Sequence, residues 1–168
     1  MNILLTNDDG VDSPGIITLF ETLKACPGHN VFVLAPDSDR SGVSNGLLAL
    51  TKPLKITEKQ SNVWSCEGLP ADCVLAACLG GRPCKPDVVI SGINRGGNLG
   101  TDIIYSGTCA AARQASLLGI PGIALSLAGC AHWDGALKGE GAAFKDTFKD
   151  NWGMAAAYAA GHLEEYLE

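Results

Sequence analysis

Short apolar segments that each end in a polar, glycine-containing loop constrain the fold of this chain more than any other feature. Ile3–Thr6 is followed by the letters NDDG, Val31–Ala35 by a loop that begins at Pro36, and Asp87–Ser91 by a loop rich in Gly and Asn. Strands that are apolar on both sides are typical of a parallel sheet covered by helices on both faces. We therefore expect an α/β protein.

Helical patterns alternate with these strands. Apolar residues recur at helical spacing from Pro14 onward, until Cys26-Pro27-Gly28 ends the helix. Further helices are predicted at Ala71–Leu79, Cys109–Leu118 and Met154–Leu167, a fourth sheet strand at Gly122–Ser126, and a hairpin from Leu47–Thr57 and Val63–Cys66. The sequence thus predicts a Rossmann-like three-layer α/β fold with a mostly parallel sheet and a β-hairpin excursion.

Composition excludes several classes of protein. Hydrophobic residues make up 46% of the 168 residues and charged ones 18%, which is typical of a globular domain, and no apolar run approaches the length of a membrane span. The net charge of −6 argues against binding to a nucleic-acid polymer. The seven cysteines form no C-x-x-C pair. We interpret them as reduced, small core residues of a cytoplasmic protein rather than as zinc ligands.

The loops that follow the strands carry an oxygen-rich set of side chains. In open α/β sheets, ligands bind at the carboxyl ends of the strands. The residues predicted there are Asn7, Asp8, Asp9, Asp37, Asp39, Arg40, Ser41, Ser44, Asn45, Ser91, Asn94, Arg95, Asn98, Ser106 and Thr108. Hard divalent cations such as Mg²⁺, Mn²⁺ or Ca²⁺ prefer ligands of this kind.

Two adjacent carboxylates at the end of the first strand need an explanation, because Asp8 and Asp9 repel each other. Either they lie in a solvated turn, or a cation holds them together.

The glycines of SGINRGGNLG match neither the G-x-G-x-x-G pattern nor the Walker pattern. That segment is either a structural glycine loop or a loop whose backbone lies against a ligand while Asn94 and Asn98 point inward.

The letters YSGT stand directly before a predicted helix. Ser106 or Thr108 could be an ordinary N-cap. The backbone amides of a first helical turn also bind phosphate, and Gly107 permits close approach. The two interpretations are compatible.

Five motifs in this order, TNDDG, APDSDRSG, GLPADC, SGINRGGNLG and YSGT, resemble the SurE family of survival-protein nucleotidases over roughly residues 1–127. The resemblance implies a metal-dependent phosphatase that hydrolyses nucleoside 5′- and 3′-monophosphates. It implies one divalent cation, Mg²⁺ or Mn²⁺, as the cofactor. A cation between Asp8 and Asp9 would offset their repulsion.

The resemblance also implies roles for individual residues. The family's metal ligands correspond to Asp8, Asp9, Ser41 and Asn94, and either carboxylate could orient the attacking water as the catalytic base. The substrate phosphate is expected at Asn94, Asn98, Ser106, Gly107 and Thr108. Asp72 and Cys73 fall in the GLPADC motif, where we interpret them as a residue of the helix start and a packing residue.

The C-terminal part departs from the family. Family members are usually longer and exchange an extended segment between subunits, which implies a homo-oligomer, either a dimer or a tetramer. We interpret residues 1–168 as one domain in which residues 128–168 are an atypical, shortened C-terminal part.

Two alternatives remain open from the sequence. A haloacid-dehalogenase-type phosphatase requires Asp-x-Asp at the end of the first strand, whereas here the two acids are adjacent and Gly10 stands in the second position. A truncated, non-catalytic relative would bind the metal or a nucleotide without releasing phosphate.

Overall fold

The computed structural model describes residues 1–81, 85–128 and 151–167. Strands and helices alternate through most of this length. The strands are β1 (Asn2–Thr6), β2 (Asn30–Pro36), β3 (Ile56–Gln60), β4 (Val63–Cys66), β5 (Val88–Arg95) and β6 (Gly122–Leu127). The helices are α1 (Pro14–Lys24), α2 (Pro70–Gly80), a short 3₁₀ helix (Gly100–Ile104), α3 (Gly107–Leu117) and α4 (Trp152–Gly161).

The strands form one mixed sheet in the order β3-β4-β2-β1-β5-β6. All neighbouring pairs are parallel except β3 and β4, which form an antiparallel hairpin at one edge. The predicted three-layer α/β fold with a β-hairpin excursion is therefore confirmed.

The side-chain alternation of the central strands assigns a helix layer to each face of the sheet. Ile3 and Leu5 of β1 pack into the cluster that includes α1 and α4. Leu4, between them in sequence, packs with Val74 of α2 and Ala111 of α3 on the other face. Because both faces are covered, β1 is buried from Ile3 to Thr6, as its continuous apolar pattern predicts.

The predicted strand over Leu47–Thr57 is largely wrong. The strand begins only at Ile56, and the apolar letters before it form a loop in which Leu48 and Ala49 donate their N–H groups to the carboxylate of Asp72. All five residues of β3 are exposed, so the strand gives no apolar signal of its own.

Other elements differ from prediction mainly at their ends. β5 continues to Arg95, with a shift of register against β6 between Ser91 and Asn94, so part of the predicted glycine loop is strand. The last helix begins at Trp152 and ends at Gly161, earlier than the predicted Met154–Leu167. The prediction for residues 128–168 as an atypical part falls mostly outside the described residues.

The cysteines for which the structure gives positions are all free. Cys66 and Cys73 are buried, as expected of core residues, whereas Cys26, Cys78 and Cys109 are only half-buried. Cys84 and Cys130 lie outside the described residues. Within the ranges that the structure describes, we find no helix with the length and apolar character needed to cross a membrane.

Candidate active site

The topology places three polar loops side by side at the carboxyl edge of the sheet. β1 lies between β2 and β5, and all three run parallel, so the loops that follow them leave the sheet on the same side. The backbone N–H of Arg40, in the loop after β2, donates to the carbonyl of Asp8 at 2.7 Å. This bond ties the loop that carries Ser41 directly to the end of β1.

A buried side chain holds the turn that carries the two carboxylates. The amide oxygen of Asn7 accepts from the Gly10 N–H at 3.1 Å, and its nitrogen donates to the Gly10 carbonyl at 2.9 Å and to the Ser13 hydroxyl at 2.7 Å. Gly10 has a φ of +98°, which a residue with a side chain rarely adopts. Asn7 is therefore a positioning residue, a role that the Asx-type turn signal N-D-D-G could have indicated.

The Asp8 carboxylate is bound to the start of α3. It is 4% exposed, and its two oxygens accept from the Thr108 hydroxyl at 2.6 Å and from the Gly107 N–H at 3.1 Å. The positive end of the helix dipole stabilises a carboxylate in this position. A Cβ at Gly107 would lie 2.8 Å from the Cβ of Asp8. Glycine at this position therefore leaves the space that the Asp8 side chain occupies.

Asp9 is held less firmly than Asp8. Burial, and then the neighbouring Asp8 carboxylate, raise the pKa of Asp9 from 3.8 to about 6. One partner opposes this shift, because the backbone N–H of Arg95 donates to an Asp9 oxygen at 3.4 Å. The repulsion expected from the sequence is therefore present in the folded protein.

The other two predicted metal ligands lie on neighbouring elements. Ser41 is in the loop after β2, and Asn94 is near the end of β5. Ser41 is exposed, and both its N–H and its hydroxyl donate to Asp39, at 2.8 and 2.6 Å. Asn94 is 8% exposed, and its amide nitrogen donates to the Gly96 carbonyl at 2.9 Å. With that nitrogen engaged, the amide oxygen of Asn94 is the atom that could bind a cation.

Most of the predicted site residues meet around one pocket of about 420 Å³. The predicted residues that line it are Asp8, Ser41, Asn94, Arg95, Asn98 and Ser106. Asp9 lines an adjacent pocket of about 250 Å³, and Arg95 lines both. Gly107 and Thr108 are not among the lining residues and instead bind Asp8.

The N-cap interpretation of Ser106 is confirmed, because its hydroxyl oxygen accepts from the Cys109 N–H at 3.1 Å. Two residues to which the sequence analysis assigns no role, Tyr105 of the YSGT motif and Asp102, also line the pocket.

The donor set suits a hard cation with open coordination positions. No group of three or more His, Cys, Asp or Glu side chains able to hold a metal occurs in the described part of the chain. The predicted ligands are of a different kind, because they combine two carboxylates with one hydroxyl and one amide. Each Asp8 oxygen accepts only one of the hydrogen bonds given above, and a carboxylate oxygen has a second lone pair for a cation.

Comparisons with known proteins identify the family. The family model described as survival protein SurE matches residues 3–166. The curated 5′-nucleotidase SurE of Treponema pallidum (strain Nichols) is 55% identical over 132 residues, which cover 76% of this chain and 68% of that protein. The curated 5′-nucleotidase SurE of Geobacter sulfurreducens is 45% identical over 168 residues, which cover 100% of this chain and 57% of that protein.

A solved structure agrees with these sequence matches. The SurE protein of Aquifex aeolicus superposes with a TM-score of 0.80 at 37% identity, and the match covers 99% of this chain and 60% of that one. The chain thus spans only part of the length of these relatives. The family model covers nearly all of the chain, and on that ground the chain belongs to the SurE family.

Proposed function

We propose that this chain is a metal-dependent phosphomonoesterase that hydrolyses nucleoside 5′- and 3′-monophosphates. The observation that carries the proposal is the pocket at the carboxyl edge of the sheet. A buried carboxylate, a hydroxyl and two amides line it, and they belong to the ends of three neighbouring strands and the loops that follow them. These residues are Asp8, Ser41, Asn94 and Asn98. The names of the curated relatives, 5′-nucleotidase SurE, support the same activity.

One divalent cation, Mg²⁺ or Mn²⁺, fits the side chains at this position. Asp8, Asp9, Ser41 and Asn94 would hold it through oxygen atoms alone, which is the chemistry that these ions prefer. When bound, the cation supplies polarisation of the phosphoryl group and stabilisation of its negative charge.

The chain's own groups bind and orient the substrate. The Asn98 nitrogen donates one hydrogen to the Ser126 hydroxyl at 2.8 Å and keeps a second hydrogen for a phosphate oxygen. The Ser106 oxygen accepts from Cys109, which leaves its own hydrogen to donate. Neutral donors fixed in this way stabilise charge on the phosphoryl oxygens without reorganising during the reaction.

Gly107 and Thr108 act through Asp8 in this proposal. Their N–H and hydroxyl groups donate to the Asp8 carboxylate, so they fix its position rather than contact the phosphate. The carboxylates of Asp8 and Asp9 are the groups that can accept a proton from the attacking water.

The proposal extends to the setting in which the protein works. Five free cysteines among the described residues support a reducing, cytoplasmic location. A homo-oligomer, a dimer or a tetramer, stays a prediction, and light scattering on the purified chain would measure it.

Phosphate release by the purified chain tests the proposed activity. The substrates are p-nitrophenyl phosphate and nucleoside 5′- and 3′-monophosphates, each with Mg²⁺, Mn²⁺ or Ca²⁺ and with excess EDTA. We expect turnover with metal, none with EDTA, and a loss of orders of magnitude in kcat for Asp8→Asn and Asp9→Asn. Undiminished turnover in EDTA would overturn the metal dependence. Nucleotide binding without phosphate release under every metal would instead identify a non-catalytic relative.

A further inference from the structure

The pocket at the carboxyl edge has one wall whose chemistry differs from the rest. Of the lining residues that the structure describes, Tyr105 alone has a large apolar surface, and its side chain is 62% exposed. The other lining groups are charged, amide, hydroxyl or glycine. A pocket of about 420 Å³ also has the size of a site for a drug-sized ligand, more than a phosphate group needs.

The backbone that carries Tyr105 is fixed although its side chain is exposed. The Ser44 N–H donates to the Tyr105 carbonyl at 3.0 Å, and the Ser44 hydroxyl donates to the Ile104 carbonyl at 2.7 Å. The Tyr105 N–H in turn donates to the Asp102 carbonyl at 3.0 Å. An aromatic ring on an anchored backbone loses little conformational entropy when it binds a ligand.

Polar groups orient a phosphomonoester within this pocket. Asp102 lines it and lies next to Tyr105 in the same turn, so its negative charge disfavours a phosphate group close to Tyr105. The cationic Arg95 belongs to the lining beside Asn94, away from that turn in the chain. Asn98 and Ser106 offer neutral donors to the phosphate instead. The organic part of the substrate is therefore directed toward Tyr105.

We propose that Tyr105 is the nucleoside-binding residue of this site and that its ring stacks against the base of the substrate. This inference rests on the proposed function. Stacking between a base and an aromatic side chain tolerates every base, because each base has a π face. The proposal therefore gives the site a preference for nucleotides over phosphomonoesters that lack a base, without discrimination among bases.

Two substrates that differ by the base test the role of Tyr105. For Tyr105→Ala we expect kcat/KM for adenosine 5′-monophosphate to fall about 10-fold through KM, and the fall for ribose 5-phosphate to be several-fold smaller. Tyr105→Phe, which keeps the ring, should retain the preference for the nucleotide. Ile104→Ala is the matched control, because Ile104 is adjacent, 61% exposed and absent from the pocket lining.

Equal losses on both substrates, or no loss on the nucleotide, would overturn the stacking role. If the wild-type chain hydrolyses neither substrate with any divalent metal, the proposed activity fails instead. Calorimetric titration of adenosine 5′-monophosphate into wild type and Tyr105→Ala then decides the role of the ring by itself. Equal affinity of the two proteins, or no binding to wild type, would refute it.

Discussion

Gly107 matters because Asp8 occupies the space that a side chain there would need. An added Cβ would lie 2.8 Å from the Asp8 Cβ and 3.0 Å from its carboxylate oxygen, so Gly107→Ala must displace the carboxylate. Since Asp8 is a proposed metal ligand, we expect this variant to lose about 10- to 100-fold in Mn²⁺ affinity and in kcat/KM. Calorimetry with Mn²⁺ and phosphate-release kinetics measure the two losses.

Gly80→Ala is the control for that substitution. Gly80 also lies in a helix, and an added Cβ there meets nothing within 4 Å. We expect it to keep wild-type metal affinity and activity. Wild-type Mn²⁺ affinity in folded Gly107→Ala would show that Asp8 does not bind the metal through the geometry described here.

Asp8 and Asp9 should respond in opposite directions when each loses its charge in metal-free buffer. Asp8→Asn leaves one acceptor oxygen for two buried donors of α3, so one of the two bonds is lost, which should cost about 1–3 kcal/mol of stability. Asp9→Asn removes a carboxylate that burial and Asp8 make unfavourable, so its melting temperature should rise. Thermal melts in excess chelator compare the two, and a rise or a fall in both variants would contradict the assignment.

The pH dependence of stability isolates the contribution of Asp9. Its pKa is about 6 in the folded protein and 3.8 ordinarily, so the folded state binds more protons than the unfolded state between these values. Ionisation of Asp9 should therefore lower the free energy of unfolding of the metal-free wild type as the pH rises from about 4 to about 6. Asp9→Asn should lack that part of the change. The difference in the free energy of unfolding between the two proteins should therefore grow over the same pH interval and stay constant above it.

Among the loops and helices, the irregular segment between β2 and β3 depends on Asp72 of α2. This carboxylate is fully buried and accepts from the N–H groups of Leu48, Ala49 and Leu69 at 2.9, 3.0 and 2.9 Å. It therefore ties the loop that carries Ser41 to the start of α2. Three buried donors would compete for one amide oxygen in Asp72→Asn.

We expect Asp72→Asn to lose about 2–3 kcal/mol of unfolding free energy, because N–H groups are left without an acceptor. Asp87→Asn is the matched control, since Asp87 is exposed and accepts a backbone bond from Asn2 at 2.7 Å. It should cost less than about 1 kcal/mol. Urea denaturation measures both, and an equal cost for the two variants would mean that Asp72 does not anchor the loop.

Asp72 also illustrates how far the sequence could predict these elements. β1 and β2 were predictable because strands buried on both faces keep a continuous apolar pattern. The letters from Leu47 onward share that pattern, yet the loop they form is held by a carboxylate more than twenty residues later in the chain. A local pattern carries no information about such a partner.

The candidate site shows the same division between local and distant information. Asp8, Ser41 and Asn94 could be predicted as neighbours because the carboxyl ends of parallel strands share one edge. The contact of Asp8 with Gly107 and Thr108 joins residues about a hundred positions apart, so the local sequence around Gly107 indicates only space for a phosphate. Tyr105 belongs to the YSGT motif, but a tyrosine beside a helix start gives no signal of its own for contact with a ligand.

At the scale of the whole molecule, a bound cation should add to the stability of the entire fold. A ligand that binds only the folded state stabilises it by RT ln(1 + [L]/Kd), about 2.7 kcal/mol at a hundred times Kd. For a chain of this size, each kcal/mol raises the melting temperature by about 2–4 °C. Saturating Mn²⁺ or Mg²⁺ should therefore raise the melting temperature by about 5–10 °C, independently of any turnover.

The matched comparison is Asp9→Asn, which keeps the fold but should lose most of this rise. An equal rise in wild type and variant, or none in wild type with any divalent cation, would contradict a metal site between Asp8 and Asp9.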